Sequence, residues 1–552
     1  MQINSIIIVG GGSSGWFTAS MLATKCPEID VTLIESPNVP TIGVGESTIL
    51  NINWFINALG MKDEDWMPQC DATYKATIKF TDFYKKGEYF HYPFGPEDHE
   101  GTKFEYEYKG EKEVYDLKAN TWFLKKWMYP DTPQTDFAES FWPHIQMVDK
   151  NKIHSNEDHA IPQFNLDLHW AYQLDATKLG HYMKTNFCSD TRHILDHVTS
   201  VNLDERGWIS SLSTKKHGEL EADLYIDCTG FNSILLEKTL GVPHTSYSDV
   251  LINNGAWATK VPYVDPDVEM ELTGNGTAIN NGWVWNVPLF SRIGNGYVYS
   301  DKFIDKEIAL KEFKEHLNNT KQWCKDNDAE ELEYRHIDIK NGIHEKAWHK
   351  NCYSIGLSYG FIEPLESTGL VFVIEAIRKL IIVLQSKDRH YNQLDRDGVN
   401  REMRSIVENT KHFVLFHFVG SIRDDTEYWR WYTQELENTY ILPEHNDKYL
   451  NFVPDFLKVL EGYQSISKMR FYNFDYDVLS DGMQSIAVGH HINLYTDFVA
   501  ESIDTLTPYL RHCLSLGIEK TFEYWKERNK RISLLADNSP THYEYLKKHI
   551  YT

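Results

Sequence analysis

The sequence predicts an α/β protein with a mostly helical second part, and three observations carry that expectation. A β-branched run, Ile6 to Val9, passes through a glycine cluster into a helix-favouring stretch, Trp16 to Thr24. A second strand-like run follows at Val31 to Glu35, completing a βαβ unit. Further strand-like pieces stand at Leu224 to Cys228 and Gly296 to Tyr299, whereas much of the chain after Leu370 reads as helical and aromatic. No repeat, low-complexity tract or Pro/Gly/Ser linker separates these regions, so 1–552 is expected to fold as one interwoven unit.

Composition limits what such a chain does. With 55 Lys plus Arg against 80 Asp plus Glu, the 552 residues carry a net charge of −25, which repels phosphate backbones and anionic lipid. Neither nucleic acid nor a membrane is an expected partner. Hydrophobics at 41% and aromatics at 14% are too rich for a disordered chain. Seven cysteines, at 26, 70, 188, 228, 324, 352 and 513, form no C-x-x-C pair, so a reducing, cytoplasmic setting is expected and no metal site is. The N-terminus runs from Met1 into Ile6 to Val9 without a basic region or cleavage site. Leu370 to Leu384, interrupted by Glu375, Arg378 and Lys379, reads as an amphipathic helix, not a membrane span.

The turn between the first strand and helix is Gly10-Gly11-Gly12-Ser13-Ser14-Gly15, a G-x-G-x-x-G, and Glu35 lies twenty residues beyond Gly15 at the end of the next strand. Gly10 permits the tight turn. Gly12 lets backbone N–H groups approach a pyrophosphate at the helix start, and Glu35 can accept ribose hydroxyls. An ordinary glycine turn is the plain alternative, but strand, helix and acid together favour a dinucleotide, and the fingerprint alone does not separate FAD from NAD. The stretch Glu221 to Gly230 resembles the A-D-x-x-I-x-C/A-T/S-G strand of two-dinucleotide-fold flavoproteins, which favours FAD. No second glycine fingerprint for NAD(P)H accompanies it, so the flavin is expected to arrive reduced, from a separate flavin reductase.

Four segments then resemble the flavin-dependent tryptophan-halogenase family: Gly43-Val44-Gly45-Glu46-Ser47-Thr48, Thr73 to Phe80, Trp283-Val284-Trp285-Asn286-Val287-Pro288, and Phe361-Ile362-Glu363-Pro364-Leu365-Glu366-Ser367-Thr368-Gly369. The resemblance implies an α/β, FAD-binding two-dinucleotide-type (Rossmann-like) fold with an intimately packed, mostly helical second part. It places the FAD-binding core at about 1–50, 190–240 and 350–385, and the substrate side at about 75–185 and 386–552. Beside Gly10 to Gly15 and Glu35, it assigns Ser36, Ile42, Val44, Glu46, Ser47, Val198, Leu357 and Leu370 to the cofactor's surroundings.

The implied chemistry starts from reduced FAD (FADH2) and O2, which form a C4a-hydroperoxide; a halide ion (chloride, bromide or iodide) attacks it and leaves hypohalous acid. Thr368 and Gly369 match the family's halide-binding amides, where the run beginning at Leu370 opens a helix; a simple N-cap would need the same backbone. Lys75 matches the lysine that captures or hydrogen-bonds the hypohalous acid, and Lys79 is its decoy. A neutral lysine suits a haloamine and an ammonium suits hydrogen-bonded acid, and the sequence leaves both open. Glu366 matches the carboxylate that polarises the donor and takes the arenium proton, while Glu363, before Pro364, reads as structural. Trp283 and Trp285, two apart on a strand, share one face as walls that keep substrate from the flavin, with Pro364 beside the substrate.

Substrate recognition departs from the family. His91-Tyr92-Pro93-Phe94-Gly95 resembles the H-x-F-G segment that sandwiches an indole, with one extra residue, so His91 and Phe94 are the expected aromatic contacts. The clamp for the amino-acid part of tryptophan is largely missing: Arg470-Phe471-Tyr472-Asn473 precede Phe474-Asp475-Tyr476, Asp477 follows, and Gly482 stands in the place of a tryptophan. The expected activity is halogenation of a small electron-rich aromatic, an indole, phenol or related ring, not specific for free tryptophan. A flavin-dependent aromatic monooxygenase is the alternative; it would share the fingerprint and aromatic pocket without needing Lys75, Glu366 or the Thr368-Gly369 site. A catalytically idle flavin-binding or interaction protein would also retain Gly10 to Gly15. The oligomeric state stays open, a homo-oligomer included.

Overall fold

The computed structural model of the protein describes residues 2–38, 45–108, 111–116, 120–386, 388–436, 485–486, 489–490 and 517–552. Its nucleotide-binding half grows from strand β1 (Ser5–Val9), helix α1 (Ser13–Lys25) and strand β2 (Asp30–Glu35). The six-stranded sheet runs Arg192–Leu195, β2, β1, Leu224–Asp227, Cys352–Ser354 and Trp348–His349. All neighbours pair in parallel except the final hairpin. Parallel strands covered on both faces read as continuous apolar runs, and β1 is such a run. Ile6 and Ile8 enter one core with Trp16, Phe17 and Leu22 of α1; Ile7 and Val9 enter another with Leu235 and Leu236.

A second, seven-stranded sheet was not anticipated beyond its strands at Trp283 to Trp285 and Gly296 to Tyr299. In order it contains Arg335–Asp338, Gly255–Val261, Ile293–Tyr299, Gly282–Pro288, Thr273–Ile279, Thr77–Thr81 and Tyr89–Pro93. Only Thr273–Ile279 and Thr77–Thr81 pair in parallel. A small sheet, with Ala171–Leu174 between Glu46–Ser47 and Thr73–Lys75, delivers Lys75 to the edge of this layer.

The predicted amphipathic helix is Gly369–Ser386, but its first turns are not amphipathic. Leu370 through Ile377 are all buried, Glu375 included, because the helix start plunges between α1 and the long helix Gln393–Val419. Among the described residues no helix is long and apolar enough to cross a membrane. The six described cysteines are buried free thiols. Ile42, Gly43 and Val44 of the flavin loop, and Arg470 to Asp477 with Gly482 of the clamp region, lie outside the described residues.

Candidate active site

The glycine turn is built from two constraints of different kinds. Gly10 has φ +118°, and a Cβ there would stand 2.2 Å from the Cys228 carbonyl oxygen; one on Gly15 would stand 1.9 Å from that of Gly10. These two glycines let strand and helix touch. Gly11 is pressed against Glu35, whose Cδ would be 2.3 Å from an added Cβ, whereas one on Gly12 would meet nothing within 4 Å. Gly12 therefore opens onto free space at the N-terminus of α1, the arrangement that accepts a phosphate. We expect Gly10→Ala to lower thermal stability, with at least ~1–3 kcal/mol of strain. Gly12→Ala should keep the wild-type Tm and, if the turn cradles the pyrophosphate as expected, lose FAD on gel filtration, because its methyl would project into the open space at the helix start.

That space is a cavity of about 550 Å³, lined by Gly10 to Ser14, Glu35, Ser36, Glu46, Ser47, Val198, Leu357, Gly369 and Leu370. Glu35 Oε2 also meets His193 Nε2 at 2.9 Å, and the Ser36 hydroxyl lies 3.2 Å from His197 Nδ1. Ser47 Oγ is buried on the cavity wall with no hydrogen-bond partner among the described residues. Glu46 is pushed up to about 7, first by burial and then by Asp175. An open glycine cradle, an acid at the end of β2 and an unspent hydroxyl fit a dinucleotide flavin.

Trp283, Trp285 and Pro364 also line the cavity. The Trp rings stand 6.3 Å apart on one strand face, and Trp285 lies so flat across Gly296 that a Cβ there would come within 2.0 Å of it. Trp283 Nε1 donates to Glu363 Oε2 at 2.9 Å, and Asn253 Nδ2 donates to the same oxygen at 2.7 Å. Burial holds Glu363 at about 7. Its two contacts orient a cavity wall.

Lys75 is fully buried. Its Nζ donates to the Thr48 carbonyl at 2.8 Å and to Ser367 Oγ at 3.0 Å, and stands 5.3 Å from the Phe94 ring centroid. Desolvation pulls its pKa down to about 7, against the attraction of Glu366. Gly274 separates it from the cavity: an added Cβ would come 2.9 Å from Lys75 Cε and 3.1 Å from Ser47 Oγ. Lys79 is elsewhere, its Nζ 4.0 Å over the Tyr89 ring.

The turn Pro364–Glu366 ends at Ser367 in a left-handed conformation, φ +58°, which turns Ser367 toward Lys75 and starts the helix at Gly369. Glu366 is 1% exposed, and burial raises it well above the usual carboxylate range, with Lys75 opposing. Its Oε1 meets His417 Nε2, while Oε2 has no partner among the described residues. Thr368 Oγ1 is likewise buried and unpartnered among them, and a Cβ on Gly369 would meet nothing within 4 Å, so the helix start is open toward the cavity.

Two findings revise the sequence expectation. His91 does not join Phe94. Strand alternation sends Phe90 toward Phe80 and Tyr92 toward Phe413, while His91 turns to the opposite face and meets Asp149 Oδ1 at 3.1 Å and Thr77 Oγ1 at 3.3 Å. The second is His417, which sequence reasoning missed. It lies 51 residues beyond Glu366 in an apolar run, and the one available signal was an imidazole sharing a helix face with Phe413 at i, i+4.

The described site is a cavity of about 550 Å³ lined by the glycine turn, with a lysine and a carboxyl group, Lys75 and Glu366, buried close to its wall. The family model described as tryptophan halogenase matches residues 5–456. Tryptophan 6-halogenase SttH of Streptomyces toxytricini is 34% identical over 454 residues, covering 77% of this chain and 80% of its own. Tryptophan 7-halogenase RebH of Lentzea aerocolonigenes is 33% identical over 448 residues, 78% of each chain. The apo structure of VirX1 superposes with a TM-score of 0.84 at 34% identity, covering 100% of this chain and 99% of that one. The chain belongs to the tryptophan-halogenase family. It is a flavin-dependent halogenase, and the family's cofactor and co-substrate are FAD and halide.

Proposed function

We propose that the protein halogenates a small electron-rich aromatic, an indole, phenol or related ring, using FADH2, O2 and halide, and that free tryptophan is a poor substrate. The observation that carries this reading is the burial of Lys75 and Glu366 together behind the cavity wall, with Lys75 tied to Ser367, the residue next to Glu366. Burying two ionisable groups is costly, and such pairs cluster where chemistry needs them. Reduced flavin, when bound, activates O2, and O2 is the oxidant that turns halide into hypohalous acid. The open amides at Thr368-Gly369 hold the halide, and Trp283 and Trp285 keep the aromatic substrate out of the flavin's end of the cavity. Lys75, held near 7, is available as ammonium or amine at neutral pH, so it can hold hypohalous acid by a hydrogen bond or carry the halogen itself. Glu366 takes the proton released when the ring is substituted. A monooxygenase would have no use for this pair.

Reduced FAD comes from a separate flavin reductase, a reading supported by the single glycine fingerprint at Gly10 to Gly15. The buried free thiols support a reducing, cytoplasmic setting. Arg470, Phe471 and Gly482 stand where the resemblance puts the tryptophan clamp, and this supports a different substrate. Tryptophan's ammonium and carboxylate must be desolvated, and without placed partners that cost is not offset. Bromide and iodide, easier to oxidise, should compete well with chloride. Steady-state kinetics against panels of indoles and phenols test the assignment: we expect several to exceed tryptophan in kcat/KM, and tryptophan above all of them would defeat it.

A further inference from the structure

The two oxygens of Glu366 are in unlike situations. Oε1 meets Nε2 of His417, carried by the helix Gln393–Val419, and Oε2 is buried without a hydrogen-bond partner among the described residues. His417 is 0% exposed and packed edge-on against Phe80 at 4.4 Å and Phe413 at 5.4 Å between ring centroids. Its Nδ1 has no partner among the described residues. This aromatic nest holds the ring at one angle to the carboxyl group.

Desolvation pulls His417 down to about 3, so the imidazole is neutral at working pH and carries a single ring proton. Where that proton sits decides what the contact does. On Nε2 it is donated to Glu366 and stabilises the carboxylate; on Nδ1 it leaves a lone pair facing Oε1, which stabilises only the protonated acid.

We propose that His417, as its Nε2–H tautomer, is a positioning residue for Glu366: it occupies Oε1, leaves Oε2 as the oxygen that receives the substrate's proton, and keeps the buried carboxyl ionised. The assignment rests on the reading of Glu366 as the base and goes beyond it by naming the residue that prepares that base. The other titratable groups around the pair are Lys75, whose charge favours the carboxylate; His490, 5.8 Å from the His417 ring; and Glu363, engaged by Asn253 and Trp283. Of the described groups only His417 makes hydrogen-bond contact with Glu366.

The test is an infrared pH titration of the Glu366 carboxyl in the full chain with oxidised FAD bound, its band assigned by difference from Glu366→Gln, alongside the pH profile of kcat. His417→Phe keeps an aromatic ring in the nest and removes the donor. Its Glu366 midpoint should rise by about one to two pH units, with the acid limb of kcat moving alongside it. His417→Gln retains an N–H donor and should return both toward wild type. An unmoved or lowered midpoint in His417→Phe overturns the proposal, since a packing role moves nothing and the opposite tautomer moves it down. Should His417→Phe not fold, His417→Gln decides: a midpoint near wild type supports the proposal, and a rise of one unit or more overturns it. The two readings fail separately. Retained turnover in Glu366→Gln sinks Glu366 as base, whereas lost turnover there with an unmoved His417→Phe midpoint sinks only the role of His417.

Discussion

Lys75→Ala is expected to abolish halogen transfer to organic substrate, by about 10² to 10³ or more, while FAD binding and reductant consumption persist. The Lys75 side chain is fully buried, its Nζ donates to Thr48 and Ser367, and it lies across Gly274 from the cavity. Alanine removes the proposed relay and leaves the glycine turn, the proposed cofactor cradle, unaltered. Lys79→Ala, altering a side chain that rests on Tyr89, should stay within a few-fold of wild type. Product chromatography with parallel oxygen uptake reads both variants. Wild-type halogenation by Lys75→Ala together with loss in Lys79→Ala would reverse the assignment.

Glu366→Gln should slow turnover by about 10² to 10⁴, the usual contribution of a positioned acid or base. The amide matches the carboxyl in shape and Glu366 stands outside the cavity wall, so FAD affinity should hardly change. The pH profile supplies an internal check. Burial holds the Glu366 carboxyl well above the usual range, and a base works only when deprotonated. The wild-type rate should therefore fall as pH drops through that raised value, and the limb should vanish in the glutamine variant. Turnover retained within a few-fold would make Glu366 a structural acid at the helix start.

What was legible in the sequence was local. Gly10 to Gly15 and Glu35 could be read because strand, turn and helix follow one another within a few dozen residues, and their spacing carries the geometry. The extent of the seven-stranded sheet was hidden because the pair Thr77–Thr81 and Tyr89–Pro93 joins strands that lie far along the chain, between Gly255 and Asp338, and Thr273–Ile279 spends two of seven positions on glycine. Leu370 to Ile377 looked one-sided because two basic residues follow Glu375, yet Glu375 itself is buried. Periodicity does not distinguish a helix that packs on one side from one whose start is enclosed. His91 was misplaced by side-chain parity, since one inserted residue in a strand moves a side chain to the other face. The Glu366–His417 contact joins two segments that only the tertiary fold brings together.

The central claim is that an oxidised halogen, and not an oxygen atom, reaches the aromatic ring. Mass spectrometry of products from the full chain, supplied with FAD, a flavin reductase, NADH, O2, bromide and a panel of indoles and phenols, tests it most directly. We predict ring-brominated products, recognised by the bromine isotope doublet. Hydroxylated products in their place would contradict it.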